Sequence, residues 1–196
     1  MTLTLVDALR ALRPNDSFIV RGDIAYENIQ LADENKTLPT EQEIEVKLAE
    51  LQYQEEINLY QEKRKLEYPN WEDQLDQIYH SGIDVWKSDI KVIKDKYPKQ
   101  TMDTTELQKR KDAVIFKLQK RDYIKAVARL AQYELSAGVK NQDGTYAIEP
   151  LPISVDDPNT GGTMRNPLVV QDEAEREAAQ EVINKTPQAV IDSINT

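Results

Sequence analysis

Cysteine is absent from this 196-residue sequence, and histidine occurs once, as His80. Without cysteine there are no disulfides, thiolate metal sites or thiol nucleophiles, and the redox compartment stays open. A Ser-His-Asp arrangement would have a single imidazole to draw on, and His80 stands where a helix end is predicted, a place where histidine serves the terminal carbonyls and the dipole. Phe and Trp occur twice each and Gly six times, so a core must be built from Leu, Ile, Val, Ala and Tyr. No run approaches the roughly 18 apolar residues of a membrane span. The opening "MTLTLVDALRALRPND" lacks a basic region followed by a long apolar stretch, Arg10 and Arg13 interrupting it early, and predicts no secretory leader. Glycine-rich phosphate cradles and calcium-loop spacing are also missing, and "DDPNTGG" offers only a weak cation pattern. The acidic pairs Glu55-Glu56, Glu72-Asp73 and Asp156-Asp157 are adjacent in the chain, whereas carboxylate catalysis needs two groups facing each other across a cleft with separated pKa values. The expectation is a non-enzymatic chain with no catalytic residues, no cofactor and no metal.

What is present is polar and helical. Hydrophobic residues make up 39%, charged residues 31%, and the mean hydropathy is −0.66, which suits helices with one-sided apolar faces. The predicted fold class is mainly α with a small β-ribbon (α+β), made of extended helical hairpins completed by oligomeric or partner contacts. The net charge of −10 is uneven. Residues 1–86 hold 18 acids against 8 bases, 87–125 hold 6 against 12, and 141–196 hold 10 against 3. The basic middle alternates with apolar residues at helical spacing, so it reads as a solvated or subunit-pairing face, with no nucleic acid and no membrane among the expected partners.

Three regions follow. Residues 1–35 contain a short helix with Leu5, Ala8, Leu9 and Leu12 on one side, stopped at Pro14, then a hairpin of strands 17–21 and 24–31 that must pack on a helix or a neighbouring sheet. The triplet Arg21-Gly22-Asp23 spells an adhesion motif, but Gly-Asp is the ordinary choice for a hairpin tip.

Residues 36–138 form a helical body. Thr40 and Glu43 make a capping box opening a helix from Glu41 to Glu67, with a narrow seam through Ile44, Leu48, Leu51, Ile57, Tyr60 and Leu66. Such a polar helix needs a partner. The segment "YPNWEDQLDQIYHSGIDVWKSDIKVIKDKYPK", residues 68–99, then predicts a helical hairpin. Pro69 sits in the first turn, Gly82 is a left-handed terminator, and Asp84 caps the second helix. Its packing residues are Trp71, Leu75, Tyr79, Gly82, Trp86, Ile90, Ile93 and Tyr97, with both indoles buried against each other or against the long helix. A last long helix, capped by Asp103, Thr104 or Thr105, runs to about Ala137 along Leu107, Val114, Ile115, Leu118, Ile124, Val127, Ala128, Ala131 and Leu135.

Residues 139–196 begin as an extended, loop-rich segment, with a turn at Asp143-Gly144 and a mobile loop at 157–162. They end in a helix from Gln171 or Asp172 to about Asn184 and a short one capped by Thr186, with Pro187 in its first position.

The hairpin carries a resemblance. Tyr68-Pro69, Asp73-Gln74-Leu75-Asp76, Tyr79, Gly82 and Lys96-Tyr97-Pro98 resemble a segment found in small virion and tail-fibre-region structural proteins of tailed bacteriophages, cyanophage-like ones among them. The upstream "KTLPTEQEIEVKLAELQ" is similar to the helix that precedes it there, and residues 166–194 share a vaguer likeness. The pattern departs at Asn70-Trp71-Glu72, where an Ile or a Gly-containing step is common. The resemblance implies a structural component of a tailed phage virion in the tail, fibre or neck region, made in the host cytoplasm. Its partners would be other phage virion proteins and further copies of itself. The alternatives are a fibre assembly chaperone that leaves before the particle is complete, or an accessory protein that binds a host receptor.

Overall fold

The computed structural model describes residues 2–136, 138–140, 142, 144–158 and 160–195. It is mainly α with small two-stranded β-ribbons. The chain divides into two compact units, Met1–Ile115 and Phe116–Thr196.

The first unit opens with helix α1 (Leu5–Leu12), whose first turn is held by the Asp7 carboxylate accepting from Thr4 N and Oγ1. Strands β1 (Phe18–Val20) and β2 (Ile29–Leu31) pair antiparallel, with Phe18 opposite Leu31 and Val20 opposite Ile29. The predicted second strand is shorter than expected. Its first half is a 3-10 turn at Tyr26–Asn28, which lets Asn28 accept from Arg21 N and donate to the Asp23 carbonyl. The ribbon packs as anticipated. Ala8, Leu9, Ile29 and Ile44 are its buried centre, with Phe18, Val20, Tyr26, Leu38, Leu48 and Leu51 packed around them.

Helix α2 (Glu41–Glu67) has the predicted bounds and the predicted cap. Thr40 Oγ1 accepts from Glu43 N at 3.3 Å, while Glu43 Oε2 accepts from Thr40 N at 2.8 Å. Its buried positions are Ile44, Ala49, Tyr53 and Ile57, and Leu66 points outward. The seam rotates because the helix meets the N-terminal core first and later elements afterwards. Helix α3 (Trp71–Ser81) is capped by Asn70, whose side chain accepts from Asp73 N at 2.7 Å, so Pro69 lies outside the helix. A single residue, Gly82 at φ +83°, ends α3 and opens α4 (Ile83–Lys96), which moves Asp84 from the cap into the first turn. Helix α5 (Thr104–Ser136) starts at Asp103, whose carboxylate accepts from Thr105 N and Glu106 N. Its expected end at Ala137 lies outside the described residues, as does Asp143 of the expected turn.

In the second unit, β3 (Val139–Lys140) pairs antiparallel with β4 (Tyr146–Ile148), and β5 (Ser154–Asp156) with β6 (Thr163–Arg165). The loop expected to be free is the tip of the β5–β6 hairpin, tied by Asp157 N donating to Gly162 O and Gly161 N to Asp157 O. Helix α6 (Pro167–Lys185) begins earlier than predicted because Asn166 caps it and Pro167 takes its first position. Thr186 ends α6 by donating its hydroxyl to Val182 O, and Pro187 takes the cap of α7 (Gln188–Asp192). Among the described residues, no helix is long and apolar enough to cross a membrane.

Candidate protein-interaction site

The α3–α4 hairpin is braced from behind by the end of α2. Arg64 of α2 donates through Nε to Tyr97 O at 2.8 Å and through Nη2 to Lys94 O at 3.0 Å, satisfying carbonyls at the C-terminus of α4. Its guanidinium also lies 4.8 Å from the Tyr60 ring centroid. One turn on, the Glu67 carboxylate accepts from Lys96 Nζ and from the Tyr97 hydroxyl. These bonds hold the Glu67 carboxyl below its ordinary pKa, the Lys96 ammonium contributing most, and raise Lys96 in return. The end of the hairpin is thus tied to α2, while its start follows α2 directly, Tyr68 N closing that helix on Arg64 O.

The eight residues singled out in the sequence fall on two sides of this hairpin, with Gly82 at the bend. Ile90 is buried, and Trp86, Ile93 and Tyr97 are half-buried on the inner face of α4. Trp71, Leu75 and Tyr79, one per turn along α3, face outward instead. Trp71 is 67% exposed and Tyr79 84%. The two indoles do not pack on each other as expected. Across the hairpin, Gln74 and Gln77 of α3 hydrogen-bond to Trp86 Nε1 (3.1 Å) and to the Asp89 carboxylate (2.5 Å), with Ile78 half-buried beside them. Because α3 turns its amides inward, its aromatic residues are left outside. Position 74 carries the only hint of this in the sequence, a glutamine one turn after Trp71.

His80 Nε2 lies 3.3 Å from the Asp76 carboxylate one turn back, and its ring stands edge-on to Tyr79. Both partners of that pair are largely exposed. The Arg64 and Glu67 brace leaves no sequence pattern, because it depends on two charged residues near a helix end meeting carbonyls and side chains about 30 residues away.

A second apolar row lies on α5. Phe116, Ile124 and Val127 are exposed there, with Lys117 exposed beside them and Lys120 half-exposed between. The covered side of the same helix carries Leu118 and Ala126, which are buried. The sequence stripe along α5 thus splits, Val114, Ile115 and Leu118 turning inward while Ile124 and Val127 turn out. The side chain of Leu135 lies outside the described residues.

Among the described residues, no group of three or more His, Cys, Asp or Glu side chains is placed to hold a metal ion. No family model, no curated protein and no solved structure matches the chain.

Proposed function

We propose that this chain is a structural component of a tailed phage virion, acting through protein–protein contacts in the tail, fibre or neck region. The assembly role is carried by one observation. A hairpin whose closing end is braced against α2 displays an outward row of Trp71, Leu75 and Tyr79. Large aromatic residues on a preorganised support anchor interfaces, because little side-chain entropy is lost when they are covered. The phage assignment comes from the resemblance of residues 68–99 to the tail-fibre-region segment.

In this reading α2 and the hairpin form the rigid body, and the short ribbons β1–β2 and β5–β6 offer open edges to which a neighbour's strand can add. Particles purified from an infection that expresses the chain should contain it in fixed stoichiometry to the major capsid protein, as read by quantitative mass spectrometry. Its presence in the lysate and absence from particles would overturn the reading in favour of a chaperone that departs.

A further inference from the structure

The two outward apolar rows differ in charge. Helix α3 holds Glu72, Asp73 and Asp76 and no Lys or Arg. Around the α5 row, residues 113–131 hold five bases, of which Arg121 pairs with Asp122 and Arg129 with Asp172 and Glu175. The cations beside the row are Lys117 and Lys120, the latter also donating to Ser193 O. We propose that the α3 row of one copy docks on the α5 row of a second copy, so that the protein self-associates head to tail.

The charges decide the pairing. If two α3 rows met, Glu72 and Asp76 would face their own counterparts. If two α5 rows met, Lys117 and Lys120 would do the same. Like charges brought together at a desolvating interface are disfavoured, and this is how surfaces of similar hydrophobicity are kept from pairing with themselves. The cross-pairing places acids beside lysines while it covers aromatic and aliphatic side chains on both sides. The α3 row, Trp71 to Tyr79, fits within the longer α5 row, Phe116 to Val127, at about 1.5 Å per residue roughly 12 Å of helix against roughly 17 Å. Glu72 and Lys117 are both exposed, as the contact requires.

A contact between two different surfaces, made once, leaves one of each free at the ends of the pair and continues into a ring or a filament. Made twice about a two-fold axis, each copy's α3 row on the other's α5 row, it closes as a dimer. This deepens the virion reading and rests on it for its biological setting.

The test uses the full chain in two forms, each disabled on one face. Tyr79→Ser with Glu72→Lys disables α3, and Ile124→Ser with Lys117→Glu disables α5. All four positions are exposed, and circular dichroism confirms that each form keeps its helical signal; if either does not, the charge substitution alone replaces the pair. Sedimentation equilibrium of the unmodified chain should show a dimer or larger species as its concentration is raised to about 100 µM. Each disabled form alone should associate at least about tenfold more weakly. An equimolar mixture of the two should stop at a dimer, because only one live α3 and one live α5 remain. A monomeric unmodified chain, undiminished association of either form, or a mixture with no dimer would each overturn the proposal. Incorporation into particles is measured separately. A chain that is monomeric in solution yet stoichiometric in virions would sink the head-to-tail contact and leave the virion reading standing, while rings absent from particles would do the reverse.

Discussion

The Arg110 guanidinium lies 4.5 Å from the centroid of the Tyr53 ring, joining the start of α5 to the middle of α2. Two carboxylates fix it there, Glu56 of α2 at 2.7 Å and Glu106 of α5 at 3.1 Å, and they raise its already high pKa, Glu56 most. The buried Tyr53 does more than support the cation. Its hydroxyl accepts from Asp103 N at 3.2 Å, so it receives one of the amides left unpaired at the start of α5.

Tyr53→Phe keeps the ring beneath Arg110 and removes that acceptor alone. The loss expected is about 1 kcal/mol of unfolding free energy, the usual net value of one such bond. Urea denaturation measures it, and faster hydrogen exchange at Asp103 than at the middle of α5 locates it.

The two tryptophans separate burial from display. Trp86 is half-buried and donates to Gln74, so Trp86→Ala should cost about 2 kcal/mol, somewhat less than the 3–5 of a fully buried indole. Trp71→Ala should change stability by no more than about 0.5 kcal/mol, as an exposed site does. Equal costs at the two positions would mean that Trp71 is covered within the chain.

That contrast marks what the sequence could tell and where it stopped. The limits of α1 and α2, the Thr40–Glu43 box and the break at Gly82 were legible, because caps and glycine at positive φ act within a few residues. Apolar periodicity also identified α3 as amphipathic, but periodicity reports only that an apolar face exists. Whether Trp71 meets α4 or solvent is decided by Gln74 and Gln77 bonding across the hairpin, and by Arg64 reaching a carbonyl 33 residues on. Two helix starts were placed differently. Pro69, expected in the first turn of α3, lies before the Asn70 cap, and Asp84, expected to cap α4, lies in its first turn because Gly82 alone joins the two helices.

Acid should weaken the fold through specific carboxylates. Glu43, bonded to Thr40, and Glu67, bonded to Lys96 and Tyr97, both titrate below their ordinary value of 4.5 in the folded chain. The unfolded chain therefore takes up protons first as the pH drops. Their contribution is complete above about 4.5 and disappears as the pH falls through the lower folded values. The urea midpoint should be flat near neutrality and decline below pH 4.5. Glu67→Gln should be less stable at pH 7 and lose less on acidification, which a pH series of denaturation curves would show.

Gly82 joins two helices with no other connecting residue, at φ +83° and ψ 159°. That region is open almost only to glycine. A Cβ added there would meet no atom within 4 Å, so any cost of Gly82→Ala is backbone strain alone. The expected loss is about 1–3 kcal/mol. A tolerated substitution, read by thermal denaturation, would mean that the α3–α4 bend is made differently.

Asn166 is buried and holds the β5–β6 hairpin to α6 with both ends of its amide. Oδ1 accepts from Leu168 N at 3.0 Å as the helix cap, Nδ2 donates to Pro152 O at 2.8 Å, and the backbone N donates to Ile153 O. Asp caps helices as well as Asn does in general, so an ordinary cap would tolerate Asn166→Asp. Here the substitution removes the donor that faces the Pro152 carbonyl and places a carboxylate oxygen against it, away from water. Asn166→Asp should therefore be more destabilising than Asn166→Ser at pH 7, although Ser is the smaller side chain, and it should recover as the pH falls and the carboxyl gains a proton to donate. Urea midpoints for the two variants at pH 7 and pH 4 decide it. If Asp matched Asn at both pH values, the side chain would be a helix cap alone, and the bond to Pro152 would contribute nothing.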